Sequence, residues 1–242
     1  MEEKKFHEIN QRLQELDDLK DNFVALVSHE LRTPVNLIAG YLDLGIAELG
    51  DDQQRAKEYL ELAEKNTRRI IRIVQELTDF ARLQRGKEIT HLHPLPIRDV
   101  IVQVKQLLRP DLEKKQLNLK IDLPEQIRQA AYDGESMIII LRNVLSNAAK
   151  FSPPQQNIKV KGEIKDDHLV VECIDWADPI PASKQDIIFE DFRQVENYLT
   201  RRYEGMGLGL AVARRTARFL GGDIQLEVRN DGNTFLVILP RA

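Results

Sequence analysis

Residues 28–34 read Ser-His-Glu-Leu-Arg-Thr-Pro, and they lie in the middle of a long run of helix-forming residues. From Met1 to about Arg85 the chain contains only three glycines and one proline, while Leu, Glu, Lys, Arg and Gln dominate. These residue types favour helices. The segment Gly50-Asp51-Asp52 is the one clear break in this run, so the sequence predicts two long helices joined as a hairpin.

Both predicted helices carry an apolar stripe with helical spacing. Four residues near the start have the spacing of a coiled-coil seam, namely Phe6, Ile9, Leu13 and Leu16. The stripe resumes at Phe23, Val27, Leu31, Ile38 and Leu42, and the second helix has Ala56, Leu60, Ala63, Thr67, Ile70, Val74, Leu77 and Ala81. Two helices alone cannot cover seams of this extent, so we expect a second copy to complete a dimeric four-helix bundle.

His29 is predicted to lie on the exposed side of the first helix. At about 100° per residue the imidazole points away from the apolar stripe, and Thr33 follows one turn later on the same face. An exposed imidazole is mostly neutral at pH 7 and can act as a nucleophile. Glu30 could hydrogen-bond the other ring nitrogen and take a proton.

An isolated exposed histidine on a helix usually has no function, so the neighbours of His29 decide the interpretation. Pro34 removes an amide donor and should bend the helix beside the histidine. A proline inside a helix costs about 3 kcal/mol. That cost favours a functional site over an accidental one.

Beyond Gly86 the residue pattern changes, and short segments with strand-like patterns alternate with segments of helical periodicity. Strands are predicted at 117–123, 158–164, 169–174, 223–228 and 234–239, and helices at 97–115, 134–149 and 207–220. This mixture predicts an α+β sandwich with helices on one face of a sheet. The weakly periodic stretch from Trp176 to Met206 is a candidate functional loop.

Three polar residues of the second predicted helix of this region share one face. Asn143, Asn147 and Lys150 are spaced four and three residues apart. Amide oxygens and a lysine suit a complex of magnesium with phosphates. The alternative is that they solvate an exposed stripe, and the spacing alone rates the two interpretations about even.

A glycine-rich segment precedes the last predicted helix. Gly205, Gly207 and Gly209 alternate with apolar residues. Such a junction lets backbone amides approach an anion near a helix N-terminus. Glycine is also common at such junctions for steric reasons alone.

Taken together, these motifs resemble those of the sensor histidine kinases of two-component systems, and the resemblance covers nearly the whole chain. His29 to Pro34 matches the H-box at every position. The resemblance implies that His29 is the phosphoacceptor, that Glu30 is its acid/base partner, and that Thr33 positions the water that hydrolyses the phosphorylated partner.

The second half resembles the ATP-binding domain of the same family. Asn143–Phe151 matches the N-box, which implies Mg²⁺ coordination by Asn147, support from Asn143 and phosphate contact from Lys150. Gly205–Leu210 matches the G2 box and Ile188–Phe192 the F-box. Residues 193–204 would then form the nucleotide lid, in which Arg201 and Arg202 are candidate phosphate contacts.

The G1 box is where the sequence departs from the family pattern. Asp175 is kept, and the resemblance implies that its carboxylate accepts a hydrogen bond from the adenine amino group. The two glycines of the pattern are replaced by Ala177 and Pro179. Proline fixes φ near −65° and has no N–H, so we expect weaker adenine binding if the backbone needs a positive φ. Trp176 either adds apolar surface or belongs to the core.

Composition narrows the function classes. The 242 residues include 35 Lys and Arg against 39 Asp and Glu, a net charge of −4 that does not favour nucleic acid. No stretch approaches the roughly 18 apolar residues of a membrane span. The single Cys173 excludes an intrachain disulfide, and with no apolar leader we expect a cytoplasmic protein.

The sequence therefore predicts a coiled coil at 1–20, a dimerisation and histidine phosphotransfer domain at 21–88, and a catalytic ATP-binding domain at 89–242. The leading interpretation is a homodimeric histidine kinase that phosphorylates His29 from Mg-ATP and passes the phosphoryl group to an aspartate of a response-regulator receiver domain. The alternative is a dimeric scaffold or response-regulator phosphatase with impaired nucleotide binding. Whether phosphorylation is in cis or in trans is left open.

Overall fold

The N-terminal part of the chain is a pair of long helices. The computed structural model describes residues 2–84, 94–191 and 206–241. Helix α1 spans Glu2–Glu48 and α2 spans Gln53–Gln84. These two helices confirm the predicted helical hairpin. Contacts divide the chain into two units, Met1–Leu77 and Thr78–Ala242.

The turn of the hairpin follows the break that the sequence predicts. The Asp52 carboxylate accepts a hydrogen bond from the N–H of Arg55, 3.0 Å away, and so caps the first turn of α2. Close to the turn, the rings of Tyr41 and Tyr59 stack with their centroids 6.4 Å apart. A Cβ added to Gly45 would lie 3.6 Å from the carbonyl oxygen of Ala56, so the helices approach closely here. These small and aromatic residues bring the two helices together.

The apolar stripes are only partly covered in the single chain. Ala56 and Ala63 are buried, and Phe23, Val27, Leu31 and Ile38 are partly buried. Leu42, Leu60 and Val74 of the predicted stripes are exposed. Of the predicted seam within residues 1–20, Phe6 is exposed, and the side chains of Ile9, Leu13 and Leu16 lie outside the described set.

The second unit is built on a five-stranded mixed sheet. Its strands are β2 (Asn118–Asp122), β4 (Asn157–Lys165), β5 (His168–Ile174), β6 (Asp223–Arg229) and β7 (Gly232–Pro240). They run in the order β2-β4-β5-β7-β6; β2 pairs parallel with β4, and the other pairs are antiparallel. A small antiparallel pair joins β1 (Pro94–Pro96) to β3 (Ala131–Asp133).

Helices supply the second layer of this unit. They are α3 (Ile97–Lys114), α4 (Glu125–Gln129), α5 (Gly134–Phe151) and α6 (Gly209–Phe219). One continuous core joins fully buried residues of α3 and α5, such as Val100 and Ile140, to Ile158, Val171 and Val237 of the sheet. The predicted α+β sandwich is confirmed.

The sequence missed the shortest elements. All five predicted strands and all three predicted helices are present, with ends that differ by one or two residues. The three-residue strands β1 and β3 and the five-residue helix α4 were not predicted, because elements of that length carry no readable period. No helix in the described ranges is both long enough and apolar enough to cross a bilayer.

Candidate functional site

His29 stands on the exposed side of α1, as the helical spacing predicts. Its side chain is 70% exposed, and its Nδ1 lies 3.7 Å from Oε1 of Glu30. Glu30 is only 1% exposed, and its other oxygen, Oε2, lies 3.1 Å from the guanidinium of Arg69 on α2. The histidine is therefore open to solvent and lies beside a carboxylate that an ion pair with Arg69 holds in place.

Thr33 and Pro34 modify the helix just after His29. Pro34 has no N–H for the carbonyl of Glu30, although α1 continues through it. The Thr33 hydroxyl donates to the carbonyl of His29 over 3.2 Å. Such a bond to the residue four positions back is a common accompaniment of a bent helix. Thr33 thus lies one turn after His29 and Glu30 on α1.

Helix α5 carries the polar face that the spacing predicts. Asp133 caps its N-terminus by accepting from the N–H of Ser136, 2.9 Å away. Val144, Leu145 and Ala148 are buried in the core. Asn143 is nearly buried too, and its amide nitrogen donates to the carbonyl of Ile139 over 2.8 Å. This bond directs the amide oxygen of Asn143 away from its own helix.

Asn147 lies one turn further along α5. Its side chain is half-buried and makes no hydrogen bond within the described ranges. Lys150 follows, with its Nζ 4.8 Å from the ring centroid of Phe151. The end of the helix is held by Lys115, whose Nζ donates to the carbonyls of Lys150 and Ser152. Burial of Lys115 lowers the pKa of its ammonium group.

The glycine-rich junction packs directly against Asn143. Gly207 has φ +74°, which side-chain-bearing residues rarely adopt. A Cβ on Gly209, the first residue of α6, would lie 3.1 Å from Oδ1 of Asn143. The structure thus brings these two predicted site residues together. Gly205 and the predicted lid, including Arg201 and Arg202, lie outside the described residues.

Asp175 directly follows β5 and is only 3% exposed. Its Oδ1 accepts from the N–H of Ala177 at 3.0 Å, and from the N–H and the side-chain amide of Asn233 at 3.2 and 3.1 Å. Burial raises the pKa of the Asp175 carboxyl, and these three donors, together with the charge of Arg229, partly oppose the rise. Its Oδ2 accepts no hydrogen bond from any described residue.

The replacement of two glycines by Ala177 and Pro179 does not strain the loop after Asp175. No residue from 175 to 181 has a positive φ. Ala177 is buried and donates to Asp175, whereas Pro179 is exposed. The expected conflict with a left-handed backbone is therefore absent at these positions.

Trp176 belongs to the support of this loop. Its indole N–H donates to the carbonyl of Asn157 over 2.6 Å, and cations of Lys159 and Arg229 lie over its ring. Its backbone N–H donates to the hydroxyl of Ser152 over 3.3 Å. Ser152 follows α5, so the end of that helix and the Asp175 loop are joined. In the predicted F-box, Phe189 packs edge-on against Phe235, with centroids 6.5 Å apart.

Comparison with known families agrees with both parts of this geometry. Residues 19–86 match the family model described as the His Kinase A (phospho-acceptor) domain. Residues 132–242 match the model described as the histidine kinase-, DNA gyrase B- and HSP90-like ATPase. Together the two models match most of the chain. The chain belongs to the histidine kinases.

Curated relatives of this histidine kinase are much longer proteins. It is 32% identical to the signal transduction histidine-protein kinase BarA of Escherichia coli over 235 residues, which are 93% of this chain and 25% of BarA. It is 31% identical to hybrid signal transduction histidine kinase D of Dictyostelium discoideum over 236 residues, 95% of this chain and 15% of that protein. The chain thus spans a minor part of these relatives.

Solved histidine kinases share its fold. The histidine kinase ThkA, in complex with the response regulator protein TrrA, has a TM-score of 0.69 at 22% identity, covering 98% of this chain and 66% of that one. Full-length ShkA in complex with AMPPNP has a TM-score of 0.63 at 24% identity, covering 91% and 46%.

Two residues that hold the Asp175 loop of this histidine kinase escaped the sequence analysis. Asn233 and Arg229 both contact Asp175 from the β6–β7 hairpin. The sequence Arg229-Asn230-Asp231-Gly232-Asn233 has the composition of a turn, so Asn233 was not separated from its exposed neighbours. The sequence feature that could have identified Asn233 is its position directly before the strongly apolar run of β7.

Proposed function

We propose that this chain phosphorylates its own His29 from Mg-ATP and passes the phosphoryl group to an aspartate of a response-regulator receiver domain. The observation that carries the proposal is the exposed imidazole of His29 beside the buried Glu30, in a chain that also folds an ATPase unit. Phosphoryl transfer needs mainly positioning and charge neutralisation, and these side chains can supply both.

The chemistry at His29 follows from its neighbour. With the proton held at Nδ1 facing Glu30, the lone pair on Nε2 is free to attack the γ-phosphorus. The new bond is N–P, the bond that breaks joins the γ-phosphorus to the β–γ bridging oxygen, and ADP leaves with that electron pair. Glu30 stabilises the imidazolium that forms. Thr33, one turn later on the same face, is then placed to orient a water for hydrolysis of the phosphorylated partner.

The nucleotide site is proposed at the junction of β5, α5 and α6. Asp175 keeps Oδ2 available as an acceptor, which suits the amino group of adenine. Gly205, Gly207 and Gly209 would let backbone amides approach the phosphates at the start of α6, and Lys150 would contact them from α5. Asn143 supports this wall through its contact with Gly209.

Magnesium binding is assigned to Asn147. Its half-buried amide makes no hydrogen bond within the described part of the chain, and an amide oxygen is a ligand that Mg²⁺ accepts. Few protein ligands are needed, because Mg²⁺ usually takes most of its other ligands from phosphates and water. The bound ion would neutralise the charge on the triphosphate.

The proposal includes a homodimer. Exposed apolar side chains along the hairpin, among them Leu42, Leu60 and Val74, fit a second copy that completes a four-helix bundle. The ThkA structure, solved with a response regulator, supports a receiver domain as partner. We retain the division 1–20, 21–88 and 89–242, and a cytoplasmic site of action fits a chain whose only cysteine is buried and free.

The test is incubation of the full chain with γ-labelled ATP and Mg²⁺. We expect label that is stable in base and labile in acid, as for a phosphoramidate, and its loss in His29→Gln. His168→Gln is the matched control, because His168 is exposed at the start of β5, at the opposite end of that strand from Asp175. It should label like the wild type. Label that survives His29→Gln would refute the assignment.

Calorimetry distinguishes the kinase from the alternative, a scaffold with impaired nucleotide binding. The alternative was motivated by Ala177 and Pro179, and the loop that contains them shows no positive φ. Titration with Mg-ATP should therefore release or absorb heat at sub-millimolar nucleotide. No heat at millimolar Mg-ATP would favour the scaffold over the kinase.

A further inference from the structure

Asn233 makes five hydrogen bonds to the loop between Asp175 and Ile180. Its backbone carbonyl accepts from the N–H of Asp175 at 2.9 Å, and its backbone N–H and side-chain amide both donate to Oδ1 of that residue. The amide also donates to the carbonyl of Asp178 at 3.3 Å, and its oxygen accepts from the N–H of Ile180 at 3.0 Å. At 1% exposure, Asn233 has every polar group of its side chain engaged.

The composition of the loop explains why these bonds matter. Pro179 and Pro181 have no N–H, so few backbone donors are available between residues 178 and 181. A buried side chain that both donates and accepts can hold such a loop from outside. Asn233 therefore supplies, from β7, side-chain hydrogen bonds to a turn that contains two residues without an N–H.

The same bonds fix the orientation of the Asp175 carboxylate. Oδ1 has three N–H donors, which exceeds its two lone pairs, while Oδ2 has none among the described residues. A second support acts on the backbone, because Arg229 donates to the carbonyl of Asp175 over 2.9 Å. A Cβ on Gly232 would lie 2.1 Å from that carbonyl, so the β6–β7 hairpin is in tight contact here.

We infer that Asn233 is a positioning residue that turns Oδ2 of Asp175 toward the base and so sets the preference for a 6-aminopurine over a 6-oxopurine. The inference rests on the proposed nucleotide site. A carboxylate oxygen accepts from the 6-amino group and repels the oxygen of a 6-oxopurine. This selectivity requires that N–H donors keep Oδ1 of Asp175 hydrogen-bonded and the Asp175 carboxyl ionised.

The experiment compares Mg-ADP with Mg-IDP, because neither nucleotide is turned over and the two bases differ in the group at C6. Binding to the full chain is measured by calorimetry for wild type, Asn233→Asp and Asn233→Ala. Asn233→Asp keeps the side-chain volume but replaces the amide donors by acceptors. Asn230→Asp makes the same charge change at an exposed position of the same hairpin and serves as the control.

We expect both Asn233 variants to weaken Mg-ADP binding by roughly 10- to 100-fold, the effect of losing hydrogen bonds to a charged group. The loss should be larger for Asn233→Asp, and the ratio of Mg-IDP to Mg-ADP dissociation constants should fall toward one. Asn230→Asp should behave as the wild type. Circular dichroism of each variant confirms that the fold is kept.

Three outcomes would overturn the inference. Near wild-type binding by Asn233→Asp would mean that volume alone matters. Equal weakening of both nucleotides, with an unchanged ratio, would assign Asn233 a merely structural role. Wild-type protein that binds neither nucleotide would refute the proposed nucleotide site itself, and the inference with it.

Discussion

Glu30 on the first helix and Arg69 on the second form an ion pair of 3.1 Å directly beneath the exposed His29. Glu30 is 1% exposed and the side chain of Arg69 is 14% exposed. The pair thus links the two helices at the level of the proposed phosphoacceptor. It gives Glu30 a fixed position from which Oε1 faces the imidazole.

We predict that Arg69→Met destabilises the hairpin. Removing one partner of a buried ion pair costs about 3–5 kcal/mol, because the remaining charge has lost its main compensation. Hydrogen exchange followed by mass spectrometry should show faster exchange in residues 23–34 of the full chain. Arg68→Met is the control: Arg68 is exposed, pairs with Glu64 on its own helix, and should leave exchange unchanged. Equal exchange in the two variants would contradict the prediction.

We predict that Gly209→Ala weakens nucleotide binding. The added methyl group would lie 3.1 Å from Oδ1 of Asn143, so the amide or the start of α6 must shift. A displaced hydrogen-bonding group near a charged ligand costs about tenfold in affinity. Calorimetry with Mg-ADP measures the change. Gly40→Ala, which has nothing within 4 Å of its added carbon, should bind like the wild type; unchanged binding by Gly209→Ala would show that Asn143 accommodates the methyl group.

The sequence predicts the layers of this fold because its long elements carry clear periods. Helices α2 and α5 show apolar residues every three or four positions, and the long strands of the sheet are apolar runs or alternating patterns bounded by turn residues. The exposure of His29 follows from the same arithmetic, since its neighbours at 27, 31 and 34 define the buried side. Nothing in those periods locates β1, β3 or α4.

Contacts between distant segments could not be predicted. Arg69 lies among several arginines of α2, and only the approach of the two helices selects it as the partner of Glu30. Asn233 is 58 positions from Asp175 and resembles its neighbours in the turn. The φ angles at Ala177 and Pro179 could not be predicted for the same reason: they depend on what supports the loop, and Asn233 of β7 supplies that support.

We predict that Asp175→Asn abolishes Mg-ADP binding without loss of stability at pH 7. Burial raises the pKa of the Asp175 carboxyl, so ionising it disfavours the folded state. The neutral Asp175 carboxyl therefore contributes its full stabilisation below the unfolded-state pKa of about 3.9. This stabilisation is lost as the pH rises through the higher pKa of the folded state. The variant avoids that loss, but it presents an amide N–H where the adenine amino group needs an acceptor.

Urea unfolding at pH 7 and pH 4, together with calorimetry, measures both effects of Asp175→Asn. The unfolding free energy of the variant minus that of the wild type should be more positive at pH 7 than at pH 4. Asp178→Asn, an exposed change in the same loop, should alter neither stability nor binding. A variant that is less stable at pH 7 than at pH 4, relative to wild type, would contradict the sign.

The last prediction concerns Asp223, which joins α6 to the sheet. Its carboxylate accepts from Arg214 through Nε at 2.8 Å and Nη2 at 3.1 Å, and from Nε of Arg218 at 3.0 Å. These bonds hold the pKa of Asp223 well below its usual range, hydrogen bonding to Arg214 being the largest cause. The guanidinium of Arg214 also lies 4.5 Å from the ring centroid of Phe189.

We predict that Asp223→Asn lowers the unfolding free energy by about 1–2 kcal/mol at pH 7, because a bidentate, partly buried pair is stronger than an exposed one. Because the pKa of Asp223 is lowered by folding, its ionised carboxylate stabilises the fold above the unfolded-state pKa of about 3.9. This stabilisation is lost as the pH falls toward the lower pKa of the folded state. The difference between wild type and variant in urea unfolding should therefore shrink below about pH 4. Asp231→Asn removes the same charge from a carboxylate that is 61% exposed and pairs with Arg229 through one contact, and it should change stability by less than about 0.5 kcal/mol. If the two variants were equally stable at pH 7, Asp223 would hold α6 no more firmly than an ordinary surface carboxylate.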